Sequence, residues 1–284
     1  MGIGRAAIAL LLEEAAARPF SGRLATLGRQ TVSATDQEVV RQFARFGLSP
    51  TASAKEGPLN DQKLFPMMGF DSIESIDYSD FEGATHILDL NTDQISPALV
   101  GQFDVVLDSG TIEHVFHVPN ALKNVLTLTK EGGRVIFLSP SSNHVDHGFY
   151  MFSPTLFMDY LVTNGLRIEK LYFIRYAASA RAPWKAYAYD RESWRKFEIG
   201  ALDGRPYMVF AVATRVPGST IGRIPQQSLY QERWNADLAS GRNERRARLK
   251  RFLAAIPGAL PLAIRIRSIL RPGGRRGLRF VGKY

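Results

Sequence analysis

The sequence predicts an α/β fold in which a mostly parallel, doubly wound sheet carries helices on both faces. Two short apolar runs, Phe103–Asp108 and Arg134–Ser139, are typical of strands buried on both faces of such a sheet. A helix over Asn120–Thr129 is predicted between them, because proline and glycine residues at its ends supply the usual start and stop signals. Together they form one βαβ unit, and ligands of such sheets bind beyond the carboxyl ends of the strands.

Composition limits the chemistry that the chain can perform. The chain has 284 residues, enough for a substantial core, and it contains no cysteine. This excludes disulfides, thiolate metal sites and a cysteine nucleophile. The net charge of +9 is unevenly distributed, because residues 242–284 contain 13 Lys and Arg but only one acidic residue, Glu244. The basic character therefore belongs to the end of the chain and not to the predicted sheet.

The N-terminal segment predicts a helix that covers the sheet. Ala6–Leu12 is apolar and follows Arg5, a pattern that also occurs in secretory signals, but Glu13 and Glu14 interrupt it. We therefore expect an amphipathic helix, with a cleaved signal as the alternative. No apolar run of the sequence reaches the roughly 18 residues that a membrane-spanning helix needs.

The first half of the predicted domain alternates strands and helices. The first strand is Arg23–Leu27, and the helix Thr35–Phe46 follows it with apolar residues at helical spacing. The segment Leu48–Pro58 is rich in Ser, Ala, Gly and Pro and predicts an exposed loop, which lengthens this crossover. The next two strands are Ser72–Asp77 and Thr85–Leu88.

The second half of the domain follows the central βαβ unit. We expect the helix Thr155–Thr163 and then two strands, Leu166–Tyr176 and Pro206–Val216. The insertion between these strands, Ala177–Arg205, mixes aromatic and basic residues. It is either a lid over the substrate or a small satellite core with solvated charges.

The chain is predicted to divide into an α/β domain of residues 1–216 and a basic amphipathic helical tail of residues 217–284. Helices are expected over Leu229–Asp237 and Glu244–Ala255, and the apolar residues of the second share one face. A basic amphipathic segment suits an anionic membrane surface. Nucleic acid is a less favoured partner, because no recognised nucleic-acid module accompanies the basic run. The alternative is a tail that packs on the domain or stays disordered.

The stretch Phe103–Pro140 reads FDVVLDSGTIEHVFHVPNALKNVLTLTKEGGRVIFLSP. It resembles the class I S-adenosylmethionine-dependent methyltransferases, in particular the branch whose fourth strand reads FDVV and precedes a Gly-x-x-Glu-His turn, a helix and a Gly-Gly-Arg-Val strand. The resemblance covers roughly Arg23–Val216. It implies a Rossmann-like sheet of seven strands with an antiparallel edge strand, S-adenosyl-L-methionine as the cofactor, and methyl transfer as the reaction.

The resemblance also implies where the cofactor would bind. In the family, the first strand ends in a glycine-rich turn, and acidic residues after the second and third strands contact the ribose and the adenine. The corresponding cofactor positions of this chain are Gly28, Arg29, Gln30, Asp77, Tyr78, Asp89, Leu90, Asp108, Ser109 and Gly110. For Asp77 and Asp89 the alternative is a local role in capping a turn.

The glycine turn is where the chain departs most from the family pattern. Only Gly28 remains, and Arg29 and Gln30 occupy positions at which the family keeps small residues. Two interpretations follow from this departure. Either the two side chains bind the cofactor carboxylate, with a charge-assisted pair from the guanidinium, or the cofactor site is lost and the protein is a catalytically inactive binding or scaffold module.

Polar residues after the fourth and fifth strands are the candidate substrate site. The predicted substrate contacts are Glu113, His114 and Asn143. For Glu113 the alternative is compensation of a helix dipole, and for the histidine it is simple packing. His144 and His147 follow the fifth strand, where an imidazole can act as a general base near neutral pH. Gly148, beside His147, would allow the substrate to approach closely.

No metal is predicted from the sequence. The pair His144-x-x-His147 has a spacing that a loop could use for a metal, and Asp146 lies beside it. Zinc sites, however, need three or four protein ligands, and the others would have to come from elsewhere in the chain.

The predicted function is methyl transfer to an oxygen or nitrogen atom of a small-molecule, glycan or lipid-linked acceptor. His147 or His144 would remove the proton where the acceptor is a hydroxyl. The alternative is an inactive protein of the same fold that associates with a membrane through its tail. The expected location is the cytoplasm, with peripheral attachment to the inner face of the membrane. The sequence does not predict an oligomeric state.

Overall fold

The computed structural model describes most of the chain, which divides into two compact units. The described residues are 2–51, 57–177, 182–189, 202–231, 234–235 and 279–284. The first unit contains residues 1–189, 204–224 and 279–284, and the second contains residues 190–203 and 225–278. In the described part of the second unit, the rings of Tyr230 and Trp234 lie 6.2 Å apart.

The first unit begins with a short strand and a buried helix. Strand β1 (Ile3–Gly4) pairs in parallel with β3 (Val32–Ser33), and helix α1 (Arg5–Ala17) follows β1 directly. Residues Ala6–Leu12 of α1 are all buried, and so is Glu14. A helix that is apolar on all sides belongs in a core. The amphipathic character predicted for α1 is therefore wrong, although the helix itself is present.

The main sheet contains nine strands within the described residues. They are β2 (Arg23–Leu27), β4 (Ser72–Asp77), β5 (His86–Ile87), β6 (Phe103–Ser109), β7 (Thr129–Ser142), β8 (Arg167–Arg175), β9 (Lys185–Ala188), β10 (Tyr207–Thr214) and β11 (Arg279–Lys283). Their spatial order is β11-β9-β8-β10-β7-β6-β2-β4-β5. The strands from β7 to β5 are mutually parallel, and β10 runs antiparallel to both β7 and β8.

The seven strands from β8 to β5 form the predicted doubly wound sheet. The chain builds outward from β2 in one direction through β4 and β5, and in the other direction through β6 and β7. This reversal creates a topological switch point at the carboxyl ends of β2 and β6. The prediction of an α/β fold with a largely parallel sheet and an antiparallel strand is confirmed. Strands β9 and β11 extend the sheet further than predicted.

Helices cover both faces of the sheet. Besides α1 they are α2 (Asp36–Arg45), α3 (Asp61–Met67), α4 (Val118–Leu128) and α5 (Pro154–Thr163). On one face, Val105 and Leu107 of β6 join the core that contains α1, α2 and α3. On the other face, Phe137 of β7 packs against Phe157 of α5 with ring centroids 5.0 Å apart. Alternate strand residues thus point to opposite helical layers, as the apolar runs predict.

The insertion Ala177–Arg205 adds a strand to the sheet where it is described. Strand β9 pairs with β8, and Trp184 packs on Tyr176 with ring centroids 5.4 Å apart. Tyr187 of β9 contacts Phe280 of β11 at 5.8 Å. Ala186 of β9 belongs to the main core and Trp184 packs against it, so the described part of the insertion extends that core and does not form a separate satellite core. Trp194 lies outside the described residues.

The end of the chain returns to the main sheet. Strand β11 pairs with β9, and the buried Tyr284 donates its hydroxyl to Glu13 Oε2 at 3.1 Å. The predicted helical tail is therefore wrong for Arg279–Lys283, because pairing with a distant edge strand leaves no local pattern. Residues 229–231 and 234–235 are helical as expected, whereas Glu244–Ala255 lies outside the described residues. Within the described part of the chain, no helix has the length and apolar character to span a bilayer.

Candidate functional site

Three residues converge at the switch point of the sheet. Leu27 pairs with Ile76 on one side and with Asp108 on the other, so the residues that follow these strands share one edge. Gly28 has a φ of +69°, a conformation that favours glycine, and its N–H donates to the Ile76 carbonyl at 2.7 Å. A β-carbon at Gly28 would lie 3.5 Å from Thr111 Oγ1 and 3.6 Å from Asp77 Oδ2. Gly28, Asp77 and Thr111 therefore form one cradle.

Asp77 offers a carboxylate to this cradle. Its Oδ1 accepts the N–H of Tyr78 at 2.6 Å, while Oδ2 is the atom nearest Gly28. The Asp77 side chain is only half-buried, and Tyr78 is 73% exposed. The carboxylate can accept ligand hydroxyls in addition to its local hydrogen bond. Both the capping role and the predicted binding role fit this geometry.

The loop after β5 is held by local hydrogen bonds. Oδ1 of Asp89 accepts both the backbone N–H and the side-chain amide of Asn91 at 2.9 Å. The Asn91 carboxamide accepts the N–H of His117, and Leu90 is buried. Asp89 therefore makes the Asx turn that was the alternative to adenine binding. Its placement along the same edge follows from the pairing of Asp77 with Ile87.

Arg29 and Gln30 are both occupied by hydrogen bonds within the protein. Arg29 forms an ion pair of 2.8 Å with the buried Asp61 at the start of α3, and the backbone N–H of Gln30 donates to the same carboxylate at 3.3 Å. The buried Gln30 side chain donates to the Leu27 carbonyl at 2.9 Å. These contacts hold the loop Gly28–Gln30 in place, at the position where the family has a glycine-rich turn. Gln30 therefore supports this loop, and its contact with the cofactor stays a prediction.

Asp108 supports the turn after β6. It is wholly buried, its Oδ1 accepts the N–H groups of Thr111 at 3.0 Å and Ile112 at 3.2 Å, and its Oδ2 accepts the Ser139 hydroxyl at 3.0 Å. Burial and the nearby Glu113 carboxylate raise the pKa of Asp108. Asp108 thus turns its hydrogen-bonded oxygens toward the turn and β7, and its contact with the cofactor stays a prediction.

The two residues after Asp108 also shape this turn. Ser109 is buried, and its contact with the cofactor stays a prediction. Gly110 has a φ of +88°, which other residues rarely adopt. The turn then enters a short 3-10 helix, Ile112–His114.

Glu113 is the most unusual residue of the site. Its side chain is fully buried, and within the described part of the chain neither carboxylate oxygen has a hydrogen-bond partner. Burial raises the pKa of Glu113 above its ordinary value. An exposed glutamate compensating a helix dipole would show neither feature, so this alternative does not explain it.

Two histidines face the buried carboxylate. Nε2 of His147 lies 3.4 Å from Glu113 Oε1, and Nε2 of His114 lies 3.9 Å from the same oxygen. The two imidazole rings are 5.3 Å apart. Burial, together with the charge of His147, lowers the pKa of His114 and so favours its neutral form. The structure thus brings together three residues that the sequence assigned to two separate turns.

The loop after β7 is fixed against Glu113 by its backbone. The N–H of Phe149 donates to the Glu113 carbonyl at 2.8 Å, and a β-carbon at Gly148 would lie 2.9 Å from that carbonyl oxygen. Gly148 was expected to allow the substrate to approach closely, but the residue that lies against it is Glu113. Asn143 and Asp146 have φ values of 62° and 60°, which are uncommon for residues other than glycine.

The other predicted loop residues lie at the side of this cluster. His144 Nε2 is 3.0 Å from the Tyr176 hydroxyl, and burial lowers the pKa of the His144 imidazole. The Asn143 side-chain amide donates to the Arg205 carbonyl at 2.7 Å, so it helps to anchor the loop. His144 and His147 remain close, with ring centroids 5.6 Å apart.

The two loops that carry the cluster of Glu113 and histidines also carry exposed apolar side chains, here called the apolar rim. They are Phe116, Val145, Phe149 and Met151. Phe116 and Phe149 meet edge to face with centroids 5.7 Å apart, and the Tyr150 hydroxyl donates to the Phe116 carbonyl at 2.9 Å. Solvent-exposed aromatic side chains held in fixed positions are typical of surfaces that contact a ligand.

Two residues of the site were missed from the sequence. Thr111 anchors the turn by donating its hydroxyl to the Leu27 carbonyl at 2.8 Å, and Asp61 pairs with Arg29. The only signal for Asp61 is its position after Asn60, whose side chain caps α3 by accepting the N–H of Lys63. Thr111 carries no signal beyond its place after a predicted strand.

Comparisons with known proteins find likeness in structure only. A scan of protein-family models and a search of curated proteins find no match. Among solved structures, the geranyl diphosphate C-methyltransferase of Streptomyces coelicolor, in complex with Mg²⁺, geranyl diphosphate and S-adenosyl-L-homocysteine, is 11% identical with a TM-score of 0.40. The match covers 73% of this chain and 77% of that one. The YcgJ protein of Bacillus subtilis is 12% identical over 74% of this chain and 99% of that one, with a TM-score of 0.39.

These likenesses are too weak to transfer an activity, and the strand order of the chain itself decides the fold. The five parallel strands are flanked by an antiparallel strand, β10, that lies between β7 and β8. The chain therefore has a doubly wound, Rossmann-like sheet with an antiparallel strand toward one edge, as the resemblance implied. The cradle of Gly28, Asp77 and Thr111 lies at its switch point, where open sheets of this kind bind ligands.

Proposed function

We propose that the protein is a methyltransferase that uses S-adenosyl-L-methionine. The observation that carries this proposal is the convergence of Gly28, Asp77 and Thr111 at the switch point of the sheet. Gly28 leaves room for a ligand to approach the backbone, and Asp77 provides a carboxylate that could accept ribose hydroxyls. When bound, the cofactor would supply a methyl group made electrophilic by a sulfonium sulfur.

The contribution of the chain's own residues is mainly to position the acceptor and exclude water. We infer an acceptor with a nucleophilic oxygen or nitrogen atom that lies near the histidines at the same edge. Where the acceptor is a hydroxyl, His147 or His144 is proposed to receive its proton. The exposed apolar rim supports a small-molecule or lipid-linked acceptor that has an apolar portion. A glycan acceptor finds less support there.

The hydrogen bonds that hold Arg29 and Gln30 within the loop favour a second candidate function. Because both side chains are bonded to Asp61 or to the loop itself, neither is free to bind a cofactor carboxylate unless the loop rearranges. A protein that retains this fold without using the cofactor would serve as a binding or scaffold module. The two candidates differ in a single measurable property, the affinity for S-adenosylmethionine.

Isothermal titration with S-adenosylmethionine distinguishes the two functions. The methyltransferase proposal predicts micromolar binding by the unaltered chain and at least tenfold weaker binding by Asp77→Ala. The matched control is Asp80→Ala, an exposed aspartate three residues away whose loss is expected to leave the affinity unchanged. Absence of binding at millimolar cofactor would contradict the proposal and favour the inactive module.

A further inference from the structure

The cluster of Glu113, His114 and His147 has the composition of a metal site. One ligand atom from each residue lies within 4.8 Å of the other two. A carboxylate with two imidazoles is a donor set that suits divalent first-row transition metals. The sequence alone did not predict this set, because Glu113 and His114 follow β6 whereas His147 follows β7.

The burial of the Glu113 carboxylate is a second, independent observation that indicates a bound cation. A fully buried carboxylate without hydrogen-bond partners is costly, and buried charges are usually paired or bound to metals. Within the described residues, both oxygens of Glu113 and Nε2 of His147 are buried and lack a hydrogen-bond partner. Although these atoms approach to 3.4 Å, they do not form a hydrogen bond with each other. A shared cation would satisfy all three atoms together.

One distance in the cluster already matches that expected between two ligands of a small ion. Metal–ligand bonds of about 2.0–2.1 Å in a tetrahedron place neighbouring ligand atoms roughly 3.3 Å apart. The separation of His147 Nε2 from Glu113 Oε1 is 3.4 Å, already close to this value. His114 Nε2 is 3.9 Å from the same oxygen, and its side chain is 48% exposed, so a small rotation of its ring can complete the set.

The backbone holds the two halves of the cluster together before any ion binds. Phe149 donates to the carbonyl of Glu113 itself, and Gly148 allows the loop to lie directly on that residue. The main chain therefore holds His147 next to Glu113. A preorganised donor set of this kind loses little entropy when it binds a metal.

We propose that Glu113, His114 and His147 bind one divalent first-row transition metal ion, with Zn²⁺ as the representative probe. Three protein ligands leave a coordination position for water or for a ligand hydroxyl, as in catalytic zinc sites. An ion there lowers the pKa of the oxygen that it binds. In that case the metal ion, and not His147, would promote loss of the acceptor's proton, and His147 would be a metal ligand. The proposal concerns metal binding and holds whether or not the protein transfers methyl groups.

Metal binding is tested on the full-length chain after treatment with EDTA and removal of the chelator. Equilibrium dialysis against Zn²⁺, followed by elemental analysis, gives the stoichiometry and the affinity without any assay of activity. The variants are Glu113→Gln, His114→Gln and His147→Gln, and the matched control is His117→Gln, an exposed histidine outside the cluster. Circular dichroism checks that each variant is folded.

The expected result is one Zn²⁺ per chain in the unaltered protein and in His117→Gln, with binding at least tenfold weaker in each of the three cluster variants. Visible absorption of the Co²⁺-loaded protein should show a low-symmetry site that Glu113→Gln abolishes. Failure of the unaltered chain to bind Zn²⁺, or equal binding by Glu113→Gln, would overturn the proposal. Because S-adenosylmethionine is absent from these experiments, such a failure leaves the methyltransferase proposal untouched.

Discussion

A single glycine governs how closely the loop after β7 approaches Glu113. Gly148 leaves no side chain between the loop and the Glu113 carbonyl, and the Phe149 N–H bonds to that carbonyl. Any larger residue must displace backbone atoms, because the obstacle is a main-chain oxygen and not the end of a flexible side chain. The position of His147 beside Glu113 therefore depends on its glycine neighbour.

We predict that Gly148→Ala destabilises the protein by about 1–3 kcal/mol, the usual cost of forcing an extra methyl group into a packed site. Its added carbon would lie 2.9 Å from the Glu113 carbonyl oxygen. Urea unfolding of the variant and of the unaltered chain measures the difference. Gly204→Ala is the matched control, because its β-carbon meets no atom of the described residues within 4 Å. Equal stability of the two alanine variants would contradict this explanation.

At the scale of elements, one buried carboxylate joins a helix to two strands. Glu14 of α1 accepts from Arg134 of β7 at 2.9 Å and is also paired with Lys170 of β8. Arg134 donates further to the carbonyls of Arg18 and Pro19, at 2.7 and 2.9 Å. The buried carboxylate thus has two cationic partners, which permits an apolar helix to carry a glutamate into the core.

We predict that Glu14→Ala lowers the free energy of unfolding by about 3–5 kcal/mol, because it leaves the buried Arg134 and the part-buried Lys170 without their shared partner. Thermal and urea unfolding provide the measurement. The comparison is Lys123→Ala, which breaks an exposed pair of 2.9 Å with Asp93 and should cost less than about 1 kcal/mol. If both variants lose the same small amount, Glu14 does not have the linking role described.

The elements that could be predicted from the sequence are those with local signals. Strands β2 and β4 occur with the predicted bounds, because apolar residues mark them. Helix α2 begins as expected, since Thr35 and Glu38 form a capping box. Helix α3 escaped prediction because it has only seven residues and contains Pro66.

Features of the site that depend on distant contacts could not be predicted. The sequence predicted that Glu113 and His147 would share an edge, but the complete burial of Glu113 depends on a loop more than 30 residues away. The ion pair of Arg29 with Asp61 likewise joins residues that no local pattern connects. The order of the strands brings such residues to one edge of the sheet. The direction in which each side chain points is decided by tertiary packing.

At the scale of the whole molecule, positive charge is concentrated in residues 242–284, the segment that ends with β11. The 13 Lys and Arg residues of 242–284 face only one acidic residue in that segment, although most of these positions lie outside the described residues. Attraction to an anionic membrane surface stays a prediction of the sequence. Removing the entire segment is a poor test, because it would also remove β11 and the contact of Tyr284 with Glu13.

We predict that replacing basic residues of the segment, while leaving β11 intact, weakens binding to anionic vesicles at least tenfold. Each basic residue near such a surface contributes about 1 kcal/mol to the binding free energy. The variant replaces four arginines by glutamine: Arg245, Arg246, Arg248 and Arg251. The control replaces the same number of basic residues in the first unit: Arg41, Lys123, Lys130 and Arg167. Co-sedimentation with phosphatidylglycerol and with phosphatidylcholine vesicles reports the binding. Equal pelleting of both variants would exclude this segment as the membrane contact.

Strand β11 returns the chain to the first unit after the basic segment. The chain leaves that unit after Ile224 and re-enters it at Arg279, where pairing with β9 fixes it. A substitution that weakens this pairing would release the outermost strand of the described sheet and, with it, the contact of Tyr284 with Glu13.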